Sequence, residues 1–198
     1  MRILVVWAHP LADSYSAALK DRAVAALEAT GHEVDLLDLY AEEFDPALSA
    51  QERIDYHDLE LNIANIRPYV EQLRAAEGLL LVFPTWSFGF PAILTGWLQR
   101  VWVPGVAFGL REDGGPIIPG ILGIRRVAAV TTTGSPWWYV KAVGNPARKV
   151  LKRGHRVMFA KRARTKWLDL NNMNKDSPRK RARFLAKVER TLPKFFSG

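Results

Sequence analysis

Short, wholly apolar runs alternate along this chain with stretches that repeat apolar residues at helical spacing. That alternation predicts βαβ units and a parallel sheet covered on both faces. Ile3–Trp7 (ILVVW) is apolar throughout, as a strand buried on two sides requires. After a turn at His9-Pro10, Ser16–Ala29 reads as a helix with Ala17, Ala18, Val24 and Leu27 in its apolar stripe. Gly31 suits the helix end, where a left-handed residue costs least. Glu33–Leu37 predicts the second strand. Residues 42–62 are polar and irregular, with a turn at Asp45-Pro46 and a capping box from Ser49 to Glu52. A helix over Ile63–Ala76 leads to the third strand, Leu79–Phe83, which Pro84 closes. Pro91–Trp102 predicts a helix with proline in its first turn. Residues 103–123 are dense in Gly and Pro and read as a long covering or binding loop. Arg126–Thr131 predicts a fourth strand, Val143–Arg153 a helix, and Arg156–Ala160 a fifth strand. Ser177–Phe196 closes the chain as an amphipathic helix with Phe184, Leu185, Val188 and Leu192 inward.

The expected architecture is a single α/β domain over residues 1–198, a doubly wound five-stranded parallel sheet of order 2-1-3-4-5 with helices on both faces. Composition agrees: 48% hydrophobic and 24% charged residues describe an ordinary globular chain, not a disordered one. No apolar run approaches the roughly 20 residues that span a bilayer. The N-terminus lacks the shape of a signal peptide, so a soluble cytoplasmic protein is expected. The chain has no cysteine, which excludes disulfides, thiolate nucleophiles, iron–sulfur clusters and zinc ribbons. His9, His32, His57 and His155 show no ligand spacing, so no metal is expected.

Charge is uneven. Residues 1–140 carry 10 Lys/Arg against 17 Asp/Glu, whereas residues 141–198 carry 18 against 3. A basic segment of this kind, packed on or extending the domain, suits nucleic acid, an anionic membrane surface, a phosphate-bearing ligand or plain solvation. No nucleic-acid motif accompanies it, and none is expected as a partner.

Ligands of open α/β sheets bind beyond the carboxyl ends of the strands, and three loops leave those ends here. The first, Ala8–Ser16, is rich in hydroxyls and precedes a helix N-terminus, which favours a phosphate; plain N-capping by Ser14 or Ser16 is the alternative. It carries neither a Walker loop nor a GxGxxG fingerprint. The second, Phe83–Pro91, is stiffened by prolines and Gly89 and holds Trp86, Phe88 and Phe90, suited to walling a planar ligand. The third runs from Thr131 through Thr132, Thr133 and Gly134 to Trp137, Trp138 and Tyr139. Its backbone N–H groups could meet an electron-rich ring edge, its aromatics adding flat surface and a phenol.

Ala8-His9 with Ser14, Phe83-Pro84 with Phe88-Gly89, Pro91–Leu94, Gly96-Trp97, Arg100-Val101, and Thr131-Thr132 with Gly134-Ser135 and Tyr139 together resemble the NAD(P)H:quinone oxidoreductase (DT-diaphorase-like) family. The likeness covers about residues 1–145. It implies a flavodoxin-like fold, a bound FAD (FMN being possible), and NAD(P)H as hydride donor to a quinone-like acceptor in a two-step exchange. It also implies a homodimer whose sites are built partly from the second subunit. By the same resemblance His9, Ser14, Tyr15 and Ser16 would hold the flavin's phosphates and neighbouring groups. Pro84, Thr85, Trp86, Ser87 and Phe88 would run along the ring, and Thr131–Gly134 would meet its edge. Tyr139 would take up charge on the reduced flavin, with Trp137 and Trp138 beside the substrate. Three departures stand out. The family's catalytic histidine falls on Asn145, whose amide donates a hydrogen bond but cannot shuttle a proton near neutral pH. The family often has an aromatic where this chain has Ser87, with Trp86 one position earlier. Phe108 and Leu110 also occupy places where the family tends to carry tyrosines lining the acceptor pocket, which implies a less polar pocket.

The basic residues Arg148, Lys149, Lys152 and Arg153 are candidates for attracting the phosphates of NAD(P)H. Two other functions compete: a flavin-binding ancillary subunit of a potassium-efflux membrane transporter, favoured by the basic flank and the missing histidine, and a one-electron carrier of the flavodoxin type.

Overall fold

Strands that are apolar on both faces need neighbours on both sides and cover above and below, and the chain supplies both. The computed structural model describes all of residues 1–198. Its elements are β1 (Arg2–Trp7), α1 (Tyr15–Glu28), β2 (Glu33–Asp38), α2 (Ala50–Ile54), α3 (Arg67–Ala75), β3 (Gly78–Pro84) and α4 (Ala92–Val101). There follow β4 (Phe108–Gly109), β5 (Ile118–Pro119), β6 (Arg126–Thr133), α5 (Trp137–Ala142), α6 (Pro146–Lys149), β7 (Arg164–Asn171) and α7 (Pro178–Ser197). The main sheet runs β2-β1-β3-β6-β7, parallel throughout, which is the expected 2-1-3-4-5 order.

Alternation along each strand sends successive side chains to opposite faces. On one face Ile3, Val5, Leu80, Val82, Ala128 and Val130 meet Leu19 and Leu27 of α1 and Phe184, Val188, Leu192 and Phe196 of α7. On the other, Leu4, Val6, Leu79, Leu81 and Phe83 meet Val70 and Leu73 of α3 and Leu94, Trp97 and Val101 of α4. Every residue of β3 is buried. Each large side chain packed this way contributes about 1.5–3 kcal/mol of transfer free energy, so the strand-end geometry rests on a firm base.

The irregular segment between β2 and α3 is pinned from α4. Arg100 pairs with Glu52 and donates to the Asp45 carbonyl, both charged side chains being only 11% exposed. Ser49 and Glu52 form the predicted capping box of α2.

Two expectations fail beyond the fourth strand. The fifth strand is Arg164–Asn171, not Arg156–Ala160. Where one helix over Val143–Arg153 was expected, the chain makes only α6 and a π turn over Val150–Gly154, between the separate α5 and a 3₁₀ turn over His155–Met158. The reason is that β7 pairs only with β6. An edge strand need bury just alternate residues, so RTKWLDLN carries no continuous apolar run to mark it. The segment 103–123 is also ordered: β4 and β5 pair antiparallel, and the Gly120 N–H donates to the Ala107 carbonyl at 2.8 Å. No helix is long and apolar enough to cross a membrane.

Candidate active site

The loops leaving β1, β3 and β6 meet at the carboxyl edge of the sheet. In the first, Ser14 caps α1: its hydroxyl accepts from the Ala17 N–H at 3.1 Å and its carbonyl from the Ala18 N–H at 3.1 Å. Capping of this kind is worth about 1 kcal/mol, and the hydroxyl answers one of the four orphan donors of a helix start, that of Ala17. The N–H groups of Tyr15 and Ser16 keep no acceptor within the chain, at the positive end of the helix dipole where an anion is favoured. The side chains of these two residues are committed inside the protein. The Trp7 indole donates to the Ser16 hydroxyl at 3.2 Å, and the Tyr15 hydroxyl donates to the Arg181 carbonyl at 2.8 Å. Burial pushes the Tyr15 phenol up to about 12. The loop therefore offers a ligand Ser14 and backbone rather than a row of hydroxyls. His9 accepts the Leu11 N–H through Nδ1 at 3.0 Å, and its ring lies 6.1 Å from that of Trp86.

The second loop is a tight reversal. The Trp86 carbonyl accepts the Gly89 N–H at 2.8 Å, with Ser87 at φ 48° and Phe88 at φ 61° between them. Consecutive left-handed residues make a type I′ turn, which normally selects Asn or Gly. Holding two side-chain-bearing residues there costs on the order of 1 kcal/mol or more each. The turn is held by the Phe88 carbonyl, which accepts the Ala147 N–H at 3.4 Å, and by the Phe88 ring, edge-on to Tyr139 at 5.5 Å. Thr85 ties the turn to the sheet, its N–H donating to the Thr132 carbonyl at 2.7 Å and its hydroxyl pairing with that of Thr131 at 2.9 Å. Ser87 and Phe88 keep backbone N–H groups free of acceptors within the chain.

The third loop is shorter than the sequence suggests. Thr131, Thr132 and Thr133 are strand residues, buried and in register with β3 or β7, because β-branched side chains suit a pleated surface. Thr131 and Thr133 line a small cavity at the strand end, and Gly134 is the first residue past the strand. Beyond it, Trp137, Trp138 and Tyr139 are 66%, 59% and 45% exposed, an accessible aromatic shelf against Phe88. Asn145 is left-handed at φ 47° and follows Gly144 at φ 87°. It lines a cavity of about 10 Å³, room for a single water, together with Thr85, Phe88, Thr133 and Asp169.

Asp169 and Asn171, hydrogen-bonded at 2.8 Å, and Trp167 reach this cavity from β7 and were missed by reading the sequence. The period-two pattern of RTKWLDLN was the available signal. Phe108 and Leu110 do not line this cavity; both lie at the β4 arm of the hairpin, Phe108 packed on the core and Leu110 55% exposed.

Behind the second loop, the His155 ring stacks on Phe90 at 6.3 Å and meets Trp102 edge-on at 4.9 Å. Burial lowers its pKa to about 4. The folded protein thus holds this imidazole neutral, while the unfolded chain takes up a proton near its ordinary value of about 6.5. Stability is then retained above that value and falls as pH drops from about 6.5 to about 4, by roughly 2–3 kcal/mol. His155→Phe should narrow the difference in melting temperature between pH 7.5 and pH 5; an unchanged difference would refute the assignment.

This edge of the sheet belongs to a known architecture: the family model for the flavodoxin-like fold matches residues 1–191. The chain belongs to the flavodoxin-like fold family. Among curated members, NAD(P)H dehydrogenase [quinone] 1 of Rattus norvegicus is 33% identical over 156 residues, 70% of this chain and 56% of that protein. A ribosyldihydronicotinamide dehydrogenase-like protein, traD of Penicillium crustosum, is 30% identical over 183 residues, 80% of this chain and 68% of that protein. The flavodoxin-like chain thus spans just over half the length of the rat relative. Among solved structures, Smu.1420 from Streptococcus mutans UA159 superposes with a TM-score of 0.86 at 29% identity, covering 98% of this chain and 100% of that one.

Proposed function

We propose that this chain is a flavin-dependent NAD(P)H:quinone oxidoreductase that passes two electrons to quinones or similar acceptors in a two-step exchange. One observation carries the reading: at a single sheet edge, the strained Trp86–Gly89 turn and the capped start of α1 present unpaired N–H groups beside an exposed aromatic shelf. That donor set fits a planar cofactor with a phosphate tail. The names of the rat and Penicillium relatives support the same chemistry.

A flavin held here would supply hydride-transfer chemistry between the nicotinamide donor and the acceptor. The protein's own residues bind and orient. Ser14 and the N–H groups of Tyr15 and Ser16 hold the phosphate end. Ser87 and Phe88 present N–H groups along the ring, and Trp86 covers it. The Tyr139 phenol donates toward charge that gathers at the ring edge, with Asn145 contributing a neutral amide donor. FAD is the flavin we assign, and a homodimer the assembly.

Initial rates measured with NADPH and menadione varied together test this. Parallel double-reciprocal lines are expected. Intersecting lines would contradict the two-step exchange, and no menadione reduction by protein loaded with either flavin would contradict the assignment itself.

A further inference from the structure

We propose that the groove between Gly144 and Arg153 binds the phosphates of the adenosine half of NADPH, the 2′-phosphate included, and makes the protein prefer NADPH to NADH. The proposal rests on the oxidoreductase reading above and names its donor.

The groove encloses about 380 Å³ and is lined by Gly144, Asn145, Arg148, Lys149, Lys152 and Arg153. No carboxylate lines it, and none of its four cations belongs to any ion pair of the protein. Four like charges facing one concavity repel one another in the free protein, and a bound polyanion relieves that repulsion. The Lys152 ammonium pKa is held below its ordinary value first by burial, then by Arg148 in the groove and Lys166 outside it.

Local geometry builds the concavity. From α6 the chain widens into the π turn over Val150–Gly154, a conformation that tends to occur at functional positions. The turn gathers residues 148, 149, 152 and 153 on one side, while Leu151 points into the core. Gly144, at φ 87°, leaves the floor open: a Cβ there would stand 2.8 Å from the Lys149 ammonium nitrogen. A side chain at 144 would push Lys149 out of the groove.

Position selects the ligand. Asn145 lines both this groove and the cavity under Phe88, so the groove begins where the redox corner ends. A dinucleotide whose nicotinamide lies on the aromatic shelf can run across Asn145 and place its phosphates among the cations. Four cations exceed the two charges of a pyrophosphate. The surplus matches one further phosphate monoester, which is what distinguishes NADPH from NADH. A short concave cluster of this kind suits a small polyanion better than a nucleic-acid backbone, which asks for an extended stripe.

The test is calorimetric titration of the flavin-loaded protein, at low salt, with adenosine 2′,5′-bisphosphate and with ADP. The bisphosphate is expected to bind at least tenfold more tightly. In the double variant Lys149→Ala/Arg153→Ala that preference should vanish, and kcat/KM for NADPH should fall at least tenfold relative to that for NADH. Lys152→Gln/Arg153→Gln should do the same, and melting curves of both variants confirm folding. Equal binding of the two nucleotides by the parent protein, or an unchanged NADPH-to-NADH ratio in folded variants, overturns the proposal. The titration also separates this proposal from the one it rests on. A protein that reduces no acceptor yet selects the bisphosphate through these residues keeps the groove assignment and loses the enzymatic one.

Discussion

Tyr139→Phe should lower quinone turnover about a hundredfold while leaving the fold and flavin content intact; loss of one preorganised donor to developing charge has effects of about 10²–10³-fold. The change removes a single oxygen and leaves the packing, because the ring is held by Phe88 at 5.5 Å and Trp138 at 5.7 Å. Tyr139 is 45% exposed and its hydroxyl has no hydrogen-bond partner within the chain, so it is available to a ligand. Tyr15 gives the contrast: its hydroxyl is spent on the Arg181 carbonyl and its pKa is raised to about 12, so it is no candidate for the same task. With Asn145 unable to trade a proton near neutral pH, the phenol carries more of the burden than it would beside an imidazole. Rapid-mixing measurements of the NADPH and quinone half-reactions locate the loss. Wild-type rates in both would remove Tyr139 from the mechanism.

Gly96→Val should destabilise the protein by about 3 kcal/mol or more, since a forced steric overlap in a packed core cannot relax cheaply. Any Cβ at Gly96 overlaps the backbone of Pro46, including its carbonyl oxygen. Neither partner has room to withdraw. Leu94 and Trp97 beside it on α4 are completely buried, and the Asp45-Pro46 turn is anchored by Arg100 through the Asp45 carbonyl. For a chain of this size that loss lowers the melting temperature by roughly 6–12 °C. The effect should extend to function, because α4 begins where the strained Trp86–Gly89 turn ends. Thermal and urea unfolding measure it directly, and a loss under about 1 kcal/mol would mean that the close approach is not rigid.

The sheet order was legible because β1, β3 and β6 are buried almost throughout and leave short apolar runs, β2 follows directly on the Gly31 helix end, and helical spacing lies between them. The fifth was not. An edge strand that exposes Lys166 and half-buries Asp169 carries its information in alternation, which a search for apolar runs passes over. That single miss hid Asp169 and Asn171, and with them the polar wall of the cavity beneath Asn145. At this edge, residue types marked the three strand-end segments but not which atoms each would offer. Ser16 and Tyr15 look like phosphate ligands by sequence, yet long-range partners, Trp7 and Arg181, claim their hydroxyls. The threonines look like a loop because threonine suits turns as well as strands; only pairing with β3 and β7 decides. The left-handed pair Ser87-Phe88 has no sequence signature at all, since residues that favour that conformation are absent from both positions.

On the proposed function, the loops after β1, β3 and β6 hold a flavin that NAD(P)H reduces. The most direct test is the visible absorbance spectrum of the protein after incubation with FAD or FMN and removal of free cofactor, followed anaerobically through addition of NADPH and then menadione. A yellow protein carrying about one flavin per chain, bleached by NADPH and restored by menadione, is the predicted result. A colourless protein that retains neither flavin would contradict the account.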